Sequence, residues 1–270
     1  MSLQTLDRAM AALHVLAHAE LGGARLVDVQ QALGLAKPTA HRLLAGLVKH
    51  RMAVQDPDTR RYQLGPTISS LAQFVPRLND DVHRACLPAV RRLASRSGQA
   101  CLLLLRFGLE TFCVDRFGGS PASRRATPVG LLRPLGLGAS GMSIVSEMAD
   151  ADVRQVFRHV RPRLGSVAGG GGRDLDAEVA FTRKHGYAIT HGSLVRGMCG
   201  IGIALRDSHG QALASIGVLL PENHAAGSDG RRIIHLIQEE RDNAERALAA
   251  TLSAQSLLAA GGMVRRHRLM

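Results

Sequence analysis

The sequence predicts an α+β chain of two domains: a small helical one, then a larger one built on a mainly antiparallel sheet flanked by helices. Three observations predict it. The chain has 270 residues, long for one domain and comfortable for two. Up to about residue 65 the apolar residues recur at helical spacing, broken only near the end by two short alternating runs. Beyond residue 100, strand-like and helical runs succeed one another without the strand–helix–strand alternation of a parallel sheet.

Composition sets the kind of core and bounds the partners. Hydrophobic residues make up 46% of the chain but aromatics only 3%, with no Trp, so the core must be Leu, Ala, Val and Ile. A net charge of +12 favours polyanionic partners. It does not locate them: residues 1–75 hold 8 Lys and Arg against 5 Asp and Glu, and most of the excess lies further on. Cys86, Cys101, Cys113 and Cys199 form no C-x-x-C pair, which argues against a structural zinc or a disulfide framework and fits a reducing cytosol. No run approaches the ~20 apolar residues of a membrane span, and residues 1–5 lack the character of a signal peptide. The expectation is a cytoplasmic protein with no cofactor and no membrane partner.

The first helix follows from Leu6, Ala9, Met10, Leu13, Leu16 and Ala17, which share one face. Thr5 is its expected N-cap and Gly22-Gly23 its end. A second helix from Val27 presents Val29, Ala32 and Leu33, and Gly34 stops it where a positive φ is needed. Pro38 suits the first turn of a third helix. There Ala40, Leu43, Leu44 and Leu47 form one face, with Arg42 and Ala45 opposite and His41 and Gly46 on the flanks. Asp56-Pro57-Asp58-Thr59 is a turn signal between two short alternating runs. Helix, tight turn, helix and hairpin in that order read as a winged helix-turn-helix, whose second motif helix enters the DNA major groove. Arg42 is then the bidentate reader of guanine, Thr39 and His41 lie in or beside the turn nearest the bases, and Lys37 is placed for a phosphate. Arg60 and Arg61 follow the hairpin turn, where a wing touches the backbone or minor groove. The bland alternative for each Arg is a solvated surface.

A linker helix is expected over residues 67–78 and a further helix over 81–95, kinked or broken at Pro88. Residues 101–105 and 111–115 flank Gly108 as a strand hairpin. Helices are expected over 140–148, 153–160, 174–184 and 229–252, and strands over 187–190, 199–206 and 211–220, the last two joined by Asp207-Ser208-His209-Gly210. The division is 1–65 for the winged helix, 66–80 for the linker, 81–256 for the second domain and 257–270 for a disordered basic tail.

Thr5-Leu6-Asp7-Arg8-Ala9, the run from Gly34 to Leu44 and Tyr62-Gln63-Leu64-Gly65-Pro66 resemble the N-terminal domain of IclR-type bacterial transcription regulators. Arg133-Pro134-Leu135, Gly186-Tyr187-Ala188 and the run from Ile201 to Pro221 resemble the family's C-terminal domain, so the resemblance spans roughly residues 3–255. It implies a dimerising winged helix, a linker helix and a GAF-like domain that binds a small effector. It also implies a dimer or a dimer of dimers, with operator DNA as partner.

The resemblance implies an effector site around Leu135, Gly138, Ala139, Ser140 and Met142, with Thr190, His191 and Gly200 from the next strands and Gly217 and Leu219 from the last. The sequence departs from the family there. Gly136 stands for His, Gly138 for Ser or Thr, and Met142 for Lys. Gly200 stands where Cys is frequent, with Cys199 one position earlier, and Thr190-His191-Gly192-Ser193 replaces an acidic stretch. A small carboxylate needs several converging donors to offset its lost hydration, and most of the usual side-chain donors are missing. Two expectations follow: glycines that open room for a larger or more apolar effector, or a vestigial pocket. The plain alternative for each glycine is a turn or a close backbone contact.

Other signals carry less. His14 and His18 are spaced as zinc ligands but lack a third partner. Gly138-Ala139-Ser140-Gly141-Met142 is not a nucleophile elbow, because Met142 stands where its last Gly belongs. Gly169–Gly172 before Arg173 lacks the ending of a phosphate loop. Arg265-Arg266-His267-Arg268 is a basic end. A ligand-responsive, DNA-binding regulator is therefore expected ahead of an enzyme in the second domain, for which no nucleophile–base pair is evident. A winged helix that binds protein is the third possibility.

Overall fold

The computed structural model describes residues 4–19, 22–73, 78–121, 123, 127–165, 172–192, 194 and 196–266, with side chains as far as Leu252 except at residues 78 and 79. Ser193, Gly169 to Gly171, His267 and Arg268, singled out above, lie outside the described residues. The chain forms two compact units, Met1–Pro76 and Arg77–Met270.

The first unit is three helices and a hairpin: α1 (Gln4–Ala17), α2 (Leu26–Leu33), α3 (Lys37–Lys49), β1 (Ala53–Gln55) and β2 (Tyr62–Leu64), followed by α4 (Pro66–Ala72). Its core joins Ala12, Leu13 and Leu16 of α1 to Val29, Leu44, Leu47 and Tyr62. Gly34 caps α2 at φ 62°, as the tight turn requires. Three expectations change. Thr5 lies inside α1 rather than capping it. Ala32 is exposed, because the short α2 buries only Val29 fully. Leu6 and Met10, on the expected core face of α1, stay 55% and 49% exposed, because the unit's core reaches only the C-terminal half of that helix.

The second unit is a six-stranded, wholly antiparallel sheet in the order β5-β4-β3-β8-β7-β6. The strands are β3 (Ala100–Phe107), β4 (Glu110–Phe117), β5 (Leu132–Pro134), β6 (Ala188–His191), β7 (Met198–Arg206) and β8 (Ala212–Pro221). Helices α5 (Leu78–Ser97) and α10 (Gly227–Arg266) cover one face. Helices α6 (Gly138–Ser146), α7 (Asp150–Gly165) and α8 (Leu175–His185) pack on the other side, and a one-turn α9 (Glu222–Ala225) follows β8. Strand β3 is buried on both faces: Cys101, Leu103 and Leu105 face α5 and α10, while Ala100, Leu102 and Leu104 belong to a small cluster with Cys113 and Leu219. Such a strand shows no alternation, which is why its run of leucines reads as apolar throughout.

Helix α5 is continuous through Pro88, so it does not break there. Pro88 is solvent-facing, so its missing N–H falls on the wet side, while Cys86, Ala89, Val90 and Leu93 hold the inner face in the core. Helix α10 extends as backbone to Arg266, through most of the segment expected as a tail. Strand β5 was not anticipated: three residues are too few for a periodic signal. Among the described residues no helix is long and apolar enough to cross a membrane.

Candidate nucleic-acid interface and ligand cavity

In the first unit, α3 presents its polar side outward. Ala40, Leu44 and Leu47 are buried, whereas Lys37, His41, Arg42 and Ala45 are exposed and Thr39 is half-buried. Pro38 sits in the first turn, as the spacing predicted. The hairpin tip is built by Asp56, whose Oδ1 accepts from the backbone N–H groups of Asp58 and Thr59 at 3.0 and 2.7 Å and from the Thr59 hydroxyl at 2.9 Å. These hydrogen bonds, the Thr59 N–H foremost, hold the Asp56 carboxyl below the usual carboxylate range. Arg60 adopts a left-handed φ of 58° and is exposed.

A groove between α3 and the hairpin brings together Lys37, His41 and Arg60 with Gln55, Gln30 and Arg25. Arg25 was not anticipated. It precedes α2, and its side chain and backbone N–H both bond Asp28 of the first turn. The sequence signal was a charged pair three residues apart at a helix start. Arg61 differs from Arg60. Its Nη1 donates to the Gly23 carbonyl at 2.8 Å, and the neighbouring Ala24 and Tyr62 exchange backbone hydrogen bonds of 2.9 and 2.7 Å. Arg61 thus ties the hairpin to the segment before α2 and is half-buried.

In the second unit a cavity lies between β3, β7, β8 and the start of α6. Gly138, Ala139, Ser140, Thr190, Gly200, Gly217 and Leu219 all line it. Leu135 and Met142 do not; they are buried in the core among α6, α7 and α8. His191 points elsewhere too, half exposed and 3.6 Å from Glu222. Leu102, Met198 and Arg133 are additional wall residues. The sequence marks Arg133 only as part of a family motif, because its place on the wall depends on β5, which is too short to give a periodic signal.

The glycines do not leave empty room. A Cβ on Gly138, which has φ 69°, would stand 2.8 Å from Leu194 Cδ1, and one on Gly200 would stand 2.9 Å from Thr190 Oγ1. One on Gly217 would collide with the Ser140 hydroxyl. Gly202, not singled out above, meets the backbone of Ala139 and Ser140 directly. Small residues here let α6 sit down on the sheet, so the close-contact reading of these glycines replaces the open-room one. The free space in the cavity is about 40 Å³, enough for a few waters at the ~10–15 Å³ each requires.

The four thiols are buried and free. Burial pushes Cys86 and Cys101 up to about 12 and Cys113 and Cys199 up to about 11.

The IclR helix-turn-helix domain matches residues 5–57, and the C-terminal domain of the bacterial transcriptional regulator IclR matches residues 78–245. The glycerol operon regulatory protein of Streptomyces griseus is 29% identical over 250 residues, covering 89% of this chain and 93% of that one. An IclR transcriptional regulator from Alicyclobacillus acidocaldarius shares the fold at a TM-score of 0.64 and 21% identity, over 92% of this chain and 100% of that one. So does an IclR homologue from Microbacterium hydrocarbonoxydans solved with 4-hydroxybenzoate, at 0.64 and 20%, over 90% of this chain and 98% of that one. Two successive domain matches cover most of the chain in the order in which its two units fold, and the chain therefore belongs to the IclR family of bacterial transcriptional regulators.

Proposed function

We propose that this regulator reads its operator with α3 in the major groove. Arg42 pairs with a guanine, Thr39 and His41 contact the adjacent bases or phosphates, and Lys37 holds the backbone. Arg60 reaches the flanking backbone from the wing, with Arg61 beside it contributing its remaining donors. The observation that carries this reading is the groove collecting Lys37, His41 and Arg60 on one side of the unit. The protein works as a homodimer or a dimer of dimers, in the cytoplasm and without catalysis. The exposed Leu6 and Met10 of α1 supply an apolar stripe for pairing two winged helices.

The cavity takes an effector larger or more apolar than a simple carboxylate. Its wall supports this, with Leu102, Leu104 and Leu219 facing inward. Binding shifts the population of dimer arrangements and so the fit to two half-sites. The small free volume favours a second reading, a regulator whose cavity takes no ligand.

The test is selection of bound sequences from a random duplex library by the full-length protein. The expected outcome is enrichment of a site with two related halves, lost in Arg42→Ala. Recovery of unenriched DNA by the wild type would overturn the reading.

A further inference from the structure

Most of the chain's net charge of +12 lies beyond residue 75, where 26 Lys and Arg stand against 17 Asp and Glu. Many of these arginines have partners inside the second unit. Arg92 and Arg96 hold Glu240, Arg163 holds Glu110, Arg173 holds Glu178, Arg183 holds Asp150 and Arg206 holds Glu245.

Helix α7 is different. Val153, Val156, Phe157, Val160 and Leu164 fix its inner face in the core. Arg154, Arg158 and Arg161 follow one another along the outer face at i, i+4 and i+7, and all three are exposed. They meet around one shallow groove, with Ala151, Phe157 and Asp176 as the rest of its wall. Arg161 is anchored: its Nη2 donates to Asp176 Oδ2 at 3.0 Å, and its guanidinium stands 5.6 Å from the centre of the Phe157 ring. The side chains of Arg154 and Arg158 make no hydrogen bond or ion pair among the described residues. Asp150, one turn before Arg154, feels its charge but is bound by Arg183 at 2.6 Å. Asp152 lies about 160° around the helix from Arg154, where it lines another groove with Glu147 and Gln155.

Like charges four residues apart repel across a helix face, and this groove holds three arginines against one acid. An outside polyanion relieves that repulsion. At ~1.5 Å per residue the row from Arg154 to Arg161 is about 10 Å long. One strand of a duplex carries a phosphate every ~3.4 Å of axis, so the row meets two or three of them. The chain's own winged helix supplies the polyanion: the covalent link holds any duplex bound by the first unit at a raised effective concentration for the second.

We propose that the outer face of α7 is a second DNA contact, in which Arg154 and Arg158, with Arg161 beside them, take backbone phosphates of the duplex flanking the operator. This rests on the operator-binding reading above. Phosphate contacts position a protein and add affinity without reading sequence.

The experiment measures the affinity of the full-length protein, at several salt concentrations, for the duplex enriched from the random library, with flanking duplex on both sides. Wild type is compared with three double variants: Arg154→Gln with Arg158→Gln, Arg154→Lys with Arg158→Lys, and Arg231→Gln with Arg246→Gln on α10, which covers the opposite face of the sheet. Thermal unfolding and sedimentation check fold and oligomeric state. In the α7 glutamine pair the slope of log affinity against log salt is expected to fall by about 2 for each protomer engaged, with the same site still enriched. The lysine pair keeps the wild-type slope, because a phosphate contact needs the charge, and the α10 pair keeps it too. A wild-type slope in the α7 glutamine pair overturns the proposal and leaves the operator reading intact. An equal fall in the α10 pair also overturns it, as a general effect of charge. So does a changed number of copies per assembly, which marks α7 as a contact between copies. Failure of the wild type to enrich any site overturns the operator reading instead, and the same slopes on unselected duplex then decide for α7.

Discussion

Gly202 of β7 meets Ala139 of α6 backbone to backbone: a Cβ on Gly202 would stand 2.5 Å from the Ala139 carbonyl carbon and from the Ser140 nitrogen. This contact seats α6 on the sheet and sets the depth of the cavity. Gly202→Ala must push the helix away, because neither backbone can rotate clear. The expected loss is about 3 kcal/mol or more, at the upper end for overpacking, read as the midpoint of urea unfolding. Gly217→Ala meets only the Ser140 hydroxyl, which can change rotamer, so its cost is about 1 kcal/mol. Adding Ser140→Ala to Gly217→Ala should recover part of that loss, a coupling that a double-mutant cycle measures.

The Glu240 carboxylate, 1% exposed, is held between α10 and α5 by Arg92 at 2.8 and 3.1 Å and by Arg96 at 3.3 Å. Both arginines keep more than 40% of their side-chain surface in water. The asymmetry predicts unequal mutants. Arg92→Ala with Arg96→Ala leaves a buried negative charge and should cost about 3–5 kcal/mol. Glu240→Leu leaves two arginines free to rehydrate and should cost distinctly less, both read by chemical denaturation.

Lys37, Arg42, Arg60 and Arg61 should separate by the kind of loss each causes. Arg42→Ala is expected to cost about 1–3 kcal/mol and to relax preference at one base pair. Lys37→Ala and Arg60→Ala should weaken all sequences alike and lower the salt slope by about 1 each. Arg61→Ala removes the bond to the Gly23 carbonyl, so the first unit should lose about 1–3 kcal/mol of stability. Affinity at several salt concentrations, set beside unfolding curves, distinguishes the three patterns.

The Asp56 carboxyl is held below its ordinary range, so the sign of its pH effect is fixed. Its contribution is full above the unfolded value of ~4 and is lost as pH falls through the lower folded value. Asp56→Asn should therefore be less stable than wild type at pH 6, with the gap narrowing at pH 3. Urea midpoints of the two proteins at both pH values check this.

The buried thiols should be inert. With the thiols at about 11 to 12, thiolate is scarce at pH 8. Native protein should leave an aromatic disulfide reagent uncleaved over minutes, and all four cysteines should react once it is unfolded in urea. Rapid labelling of any one in the native state would contradict the burial described here.

The sequence by itself determined most of the elements and their order, the short β5 and α9 apart. Period 3.6 in α1 and α3, Gly34 at the turn and the Asp56–Thr59 tip are local signals, set by backbone sterics and short-range hydrogen bonds that neighbours in the chain satisfy. The exposed side of α3, with Lys37, His41 and Arg42, was legible for the same reason. Tertiary structure decided which groups meet. Arg61 turns to Gly23, 38 residues away, and Pro88 is tolerated because it faces water while its neighbours are buried. On the cavity wall a Cβ on Gly138, Gly200 or Gly217 would meet Leu194, Thr190 or Ser140, so the lack of a side chain there means close packing rather than vacancy. Arg133 reaches the cavity because a three-residue strand pairs with β4. Such relations depend on which surfaces exclude water together, and that is settled only when distant strands and helices pack into one core.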